Sequence, residues 1–205
     1  MKQKYEKTYR YLKRFEDRLR KRSGYRQYFD PSDPFYSIYN VGPYTMEKWK
    51  VMWPEVGNTV RAGVCGPQKV NSEKPALPDH TIIAISCDSG DEAHYVCALL
   101  NSSPAQSAAS GYIVLHPSPH IMEHIAIPRF NPKETTHRRL CELSQASHLA
   151  TANDDTNQLN GLEAEVDKAA AKLWNITDDE LKTIRDAMAE TRRSKRPVAD
   201  EDEDS

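Results

Sequence analysis

No hydrophobic run in the sequence approaches the roughly eighteen residues of a membrane span, and the highly charged N-terminus has no apolar core segment. A transmembrane helix and a signal peptide are therefore not expected. The four cysteines, Cys65, Cys87, Cys97 and Cys141, form no C-x-x-C pair and read as reduced thiols of a cytoplasmic protein. Also missing are a glycine-rich phosphate loop, a dinucleotide fingerprint and a G-x-S-x-G elbow. Net charge is small, −2, but uneven: residues 1–26 carry eleven Lys/Arg against three Asp/Glu, while the tail from Asp200 is nearly all acidic. Distribution rather than the sum bears on nucleic-acid binding. With a mean hydropathy of −0.76, one core is expected, with polar appendages at the ends.

The stretch Asp91–Phe130 organises the chain. Tyr95, Ala98 and Leu99 recur at helical spacing, and Val96 and Leu100 widen the stripe. Asn101-Ser102-Ser103-Pro104 stops or kinks that helix, because these polar side chains compete for backbone groups and proline lacks a donor. Tyr112–Leu115 is a strand candidate by its aromatic and β-branched content, and Ile125–Pro128 is a second one after a short helical turn. Helix, break and strands within forty residues make a compact α+β unit.

Before it, Tyr5, Tyr9, Leu12, Phe15 and Leu19 draw an apolar stripe along a basic helix over 2–22, with Ser23-Gly24 as its stop. Phe35–Val41 and Lys50–Trp53 favour a hairpin turned by Gly42-Pro43, with Trp49 and Trp53 in its packed core. A strand is expected near Thr59–Val64, then an irregular loop holding Lys69 and Lys74, then a strand over His80–Ser86. Asp88–Asp91 forms a turn that caps the following helix. Beyond Phe130, helices run from Asn131 to about Leu149 and from Leu159 to Trp174. Thr177 and Glu180 form a capping box for a last helix to about Arg192. Residues from Ser194 onward are expected to be disordered.

His120-Ile121-Met122-Glu123-His124 matches H-x-x-E-H, in which two imidazoles one helical turn apart hold zinc beside a carboxylate base. Pro119 allows only a short helix, and no later Glu is placed as a third ligand. The pattern reads as chance.

Four segments resemble, in order, the target-recognition and C-terminal region of type II, IIG-like, adenine-specific N6 DNA methyltransferases of restriction-modification systems. They are Tyr44-Thr45-Met46 before Lys50-Val51-Met52-Trp53, the helix ending Leu100-Asn101-Ser102, Ile127-Pro128-Arg129-Phe130 with Leu143-Ser144 and His148 after it, and Val166-Asp167 with Leu173-Trp174 through Thr177 and Glu180. Met46 stands where that family has Phe, and Trp174 where it has Tyr. The resemblance implies an α+β fold with a mixed β-sheet. It divides the chain into a basic connector helix (1–26), a recognition domain (27–130), C-terminal helices (131–193) and a charged tail (194–205).

It also implies a double-stranded DNA partner and a methyltransferase catalytic domain or subunit, this chain being a separate or truncated part. No S-adenosylmethionine site and no Asn/Asp-Pro-Pro-Tyr/Phe motif stands here, so methylation by this chain alone, and a cofactor within it, are not expected. Tyr44, Lys48, Lys50, Arg61, Lys69 and Lys74 are the candidates for DNA contact. A protein-interaction module or a free-standing specificity subunit without DNA chemistry is the alternative reading, and a zinc hydrolase on His120 and His124 a third.

Overall fold

A computed structural model describes the chain except Asn58, Asn71, 112–118 and 195–205. The described residues form an α+β fold in two compact units, Met1–Thr45 and Met46–Ser205. Among them no helix is long and apolar enough to cross a membrane.

In the first unit the basic stretch does not make one helix. It breaks into α1 (Glu6–Lys13), α2 (Glu16–Arg20) and α3 (Ser23–Tyr28). Arg14 and Phe15 donate to carbonyls three residues back, which tightens the backbone and ends α1. The expected strand over 35–41 is absent as well, and two arginines explain it. Arg22 Nη2 donates to the carbonyls of Phe35 and Ser37, and Arg20 Nη1 to those of Pro31 and Asp33. Backbone acceptors that a partner strand would use are already taken. Tyr25 and Phe35 are the unit's buried hydrophobic residues; Tyr25 Oη donates to Asp33 O at 2.7 Å, and Phe35 meets the rings of Tyr9 and Tyr36.

The second unit is built around α4 (Gly90–Asn101), the helix expected from the 91–100 stripe. Ser89 accepts from Glu92 N, and Glu92 Oε2 accepts from Asp88 N, so the N-terminal turn is capped from both sides. One face of α4, with Ala93, Cys97 and Leu100, packs on a sheet with Val51 and Trp53. The other, with Tyr95, Ala98 and Leu99, packs on Leu140, Leu143, Val166 and Ala170 of the C-terminal helices. At about 25 cal/mol per Å² of apolar area, these two seams dominate the unit's stabilisation.

The sheet is β1 (Trp49–Pro54), β2 (Gly63–Cys65) and β5 (Ile82–Cys87), ordered β2-β1-β5 and antiparallel throughout, where a mixed sheet was expected. Short connections make antiparallel pairing the accessible solution, since parallel strands need a long crossover. The loop expected at Lys69 and Lys74 is a small ribbon, β3 (Gln68–Val70) against β4 (Ser72–Lys74).

After α4, Ser102 caps both that helix and the next, α5 (Ser103–Ser110), so the Ser-Ser-Pro segment restarts a helix rather than only ending one. The strand expected at Tyr112–Leu115 and the tail after Ser194 lie outside the described residues. Ile125–Pro128 forms no strand among the described residues: it bends at Ile125, where Ile127 N donates back to Ile125 O, and Trp174 Nε1 donates to Ala126 O at 2.7 Å and Tyr95 Oη to Pro128 O. The helices α6 (Thr135–Ala152), α7 (Thr156–Leu173) and α8 (Asp178–Ser194) follow as expected. Asp154, at φ 54°, turns α6 into α7, and the Thr177–Glu180 capping box opens α8. All four cysteines are free, and burial raises the Cys87, Cys97 and Cys141 thiols to about 12, 11 and 12.

Candidate nucleic-acid interface

The segment Val60–Val64, which leads into β2, is pinned to the helices by side chains. Gln106 Nε2 donates to Val60 O at 2.7 Å. Asn101 accepts from Ala62 N at 3.0 Å and donates to Ala62 O at 2.8 Å. His148 Nε2 accepts from Val64 N at 3.0 Å, and its Nδ1 sits 2.8 Å from Ser144 O. A carbonyl at one nitrogen and an N–H at the other require the neutral tautomer protonated on Nδ1. The edge of β2 is thus covered by a helix side chain instead of lying open.

Between this pinned segment and α5, α6, α7 and α8 runs a cleft of about 1000 Å³. Arg61 lies exposed at its rim and Glu163 on the opposite wall; Val60, Leu159, Val166 and Met188 supply apolar lining. Behind it, His94 Nδ1 meets Ser144 Oγ at 3.1 Å and its ring crosses that of His148 edge-on. Burial holds His94 down at about 4, against an opposing pull from Asp91.

On the far side of β2 the ribbon β3–β4 leaves the sheet at Gly66. A Cβ there would stand 2.6 Å from the Trp49 ring, and one at Gly90 would stand 3.1 Å from it. The indole is therefore wedged between two glycines and fixes the base of the ribbon. In the ladder Gln68 faces Lys74 and Lys69 faces Glu73. Lys48, just ahead of β1, reaches Glu73 at 2.8 Å in an exposed pair that raises the lysine's pKa, mainly through that hydrogen bond.

The structure therefore brings Lys48 to Glu73, while the ladder register sets position 69 across from Glu73 and Lys74 across from Gln68. Arg61 belongs to the cleft rim. Lys50 belongs to neither, because it is 2% exposed in the middle strand and its Nζ turns back to the carbonyl of Glu47. Desolvation lowers its pKa, with Cys65 and Glu47 opposing. A side chain so enclosed offers no surface to a phosphate. Tyr44 lies in the first unit, about half exposed, with its hydroxyl donating to Asn40.

No protein-family model, curated protein or solved structure matches this chain.

The H-x-x-E-H stretch forms a 3-10 turn, Pro119–His124. At about three residues per turn, positions four apart lie roughly 120° around the axis, so the zinc spacing of an α-helix is not reproduced. Among the described residues no three His, Cys, Asp or Glu side chains cluster as metal ligands. Glu73, which holds Lys48, had no sequence signal, since strand pairing puts it beside a residue 25 positions away. The same holds for a shallow groove of about 250 Å³ where Arg139, Lys168 and Lys172 surround Glu165 between α6 and α7.

Proposed function

We propose that this chain is the DNA target-recognition module of an adenine-specific N6 DNA methyltransferase of a restriction-modification system. It works in the cytoplasm beside a catalytic domain or subunit that holds S-adenosylmethionine. The observation that carries the reading is the polar ribbon β3–β4 with Lys48 at its side. The major groove of B-DNA admits a two-stranded β-ribbon. One face of the ribbon carries an amide at Gln68 beside an ammonium at Lys74, and the other carries the Glu73 carboxylate across from position 69. These chemistries match base edges: an amide pairs with adenine, a carboxylate accepts from cytosine, and lysine donates to guanine.

Lys48 and Arg61 then serve the phosphates. An exposed, solvent-screened pair such as Lys48–Glu73 contributes little, so exchanging it for a phosphate or a base edge costs little. Lys50 has a packing role in this scheme. Selection from a randomised duplex pool tests the proposal. The full chain is expected to enrich one motif, and Gln68→Ala with Glu73→Gln to relax two or more of its positions while overall affinity changes little. Enrichment of no motif by the full chain, with its catalytic partner present or absent, would overturn it.

A further inference from the structure

Exposed large hydrophobic side chains are concentrated in the first unit, at Tyr5, Tyr11, Tyr28, Ile38, Tyr39, Val41 and Tyr44. Most are tyrosines. Two of them make a built surface: the rings of Tyr28 and Tyr39 stack at 3.6 Å between centroids with 12° between planes, although each side chain stays about half exposed. Tyr39 sits on a braced loop. Asn40 takes the left-handed conformation at φ 56°, and the Tyr44 hydroxyl holds it at both its carbonyl, 2.8 Å, and its side-chain oxygen, 2.6 Å. The four successive residues 38–41 are exposed, so the loop serves nothing in the unit's own interior.

The charge of this unit is one-sided. Residues 1–45 hold eleven Lys/Arg against five Asp/Glu. Of the cations, Arg20 and Arg22 are occupied with loop carbonyls, and Arg10 and Lys13 pair with Glu6 and Glu16. Lys7, Arg14, Arg18, Lys21 and Arg26 are exposed and have no acidic partner among the described residues. Arg26 lies two residues before Tyr28 on the same helix, α3.

We propose that the first unit binds an unpaired nucleic-acid strand. A base stacks on the outer face of the Tyr28–Tyr39 pair, and the exposed cations Lys7, Arg14, Arg18, Lys21 and Arg26 neutralise the flanking phosphates. Every base has a π face, so such stacking tolerates sequence, and a basic surface interleaved with aromatic rings is how single strands are held. Duplex DNA offers no free base face and is not the ligand here. The site differs from the ribbon in residues and in ligand geometry, so either proposal can fail alone.

The test is fluorescence anisotropy of the full chain with labelled dT20 and rU20, each from about 20 to 200 mM salt. Expected is saturable binding that weakens with salt. A preference for dT20 or for rU20 identifies the strand as DNA or RNA, and equal binding means that the 2′-hydroxyl is not read. The Tyr28→Leu/Tyr39→Leu pair keeps the surface apolar but removes the π faces, and should weaken binding by about 5-fold to 100-fold. Tyr28→Phe/Tyr39→Phe should bind as the parent does, and Lys48→Ala/Lys69→Ala/Lys74→Ala should leave dT20 affinity unchanged. Absence of binding at the lowest salt would overturn the proposal. So would a leucine pair that binds like the parent, which would mark the patch as a protein-docking surface or a plain electrostatic one, and so would an affinity that follows the ribbon lysines.

Discussion

Residues 1–45 carry eleven Lys/Arg against five Asp/Glu, whereas residues 46–205 carry seventeen against twenty-five. The two units also differ in how they are held. The first buries two hydrophobic side chains, Tyr25 and Phe35, and organises its loop by arginine bonds to carbonyls. The second has two continuous apolar seams on either face of α4 and fixes its loops to helices with Asn101, Gln106 and His148. A short segment cannot bury enough apolar area to order itself by that means, so directional bonds from charged groups take over. The cation-rich unit is therefore where polyanion affinity should concentrate, and the well-packed unit is where a rigid reading element can be mounted.

The largest expected effect breaks the packed side of this contrast. Asp167 is buried and accepts from Ser103 N, Ser103 Oγ and Arg185 Nε, tying α5, α7 and α8 together. Asp167→Ala leaves the Arg185 guanidinium without its carboxylate and should cost about 3 kcal/mol in denaturant unfolding. Protection of amides in 1–45 should be unchanged in hydrogen exchange. A loss below about 1 kcal/mol would show that the network is not needed.

Second in size is a pH effect. The folded His94 is held at about 4, below the value of the unfolded chain, so between pH 6.5 and 4 the unfolded state binds the extra proton. Stability from this group is present above that window and falls by an amount on the order of 2 kcal/mol as pH drops through it. His94→Gln should flatten the pH 4–6.5 limb of the stability curve; an unchanged limb would contradict the assignment.

Much of this second unit was legible because its signals are local. The α4 stripe and the Thr177–Glu180 box each act over three or four residues. The first unit was not, because Arg20 and Arg22 look like solvated cations in a basic helix until the loop at 31–37 folds over them. The candidate site fared similarly. Lys48, Lys69 and Lys74 were candidates by residue type, but the contact of Lys48 with Glu73 depends on where the ribbon's ladder sets Glu73. Lys50 alternates with Val51 along β1, and side-chain alternation alone would place it outward; enclosure on both sides of the strand is a tertiary fact. Several residues that carry the family resemblance, Asn101, His148, Asp167 and Trp174, turn out to make long-range latches, so that pattern records how the chain is braced.

Two smaller predictions sharpen the contrast from its other side. Arg22→Met removes the bonds to Phe35 O and Ser37 O, worth about 1.5 kcal/mol for a charged donor. Amide exchange should speed up over 30–41 and stay unchanged in α4 and α6. Faster exchange in α4 would show that the arginine supports more than its own loop. Lys50→Met should stabilise the fold by up to about 1 kcal/mol at neutral pH, since it removes a desolvated ammonium from the middle strand. Because the folded Lys50 is depressed below its ordinary value, the penalty fades as pH rises toward 10, and the stabilisation by methionine should fade with it. Duplex affinity should not change; a drop would return Lys50 to the DNA surface.

The most direct measurement is the salt dependence of duplex binding, for the parent chain and for Lys48→Ala/Lys69→Ala/Lys74→Ala, on a duplex carrying the selected motif. If the ribbon lies in the groove, log K falls linearly with log salt, and the triple variant loses about 0.9 in slope with the Lys48 phosphate contact and further affinity with the Lys69 and Lys74 base contacts. A parent chain without salt-dependent duplex affinity, or a variant whose slope and affinity match the parent's, would contradict the assignment of this ribbon to DNA.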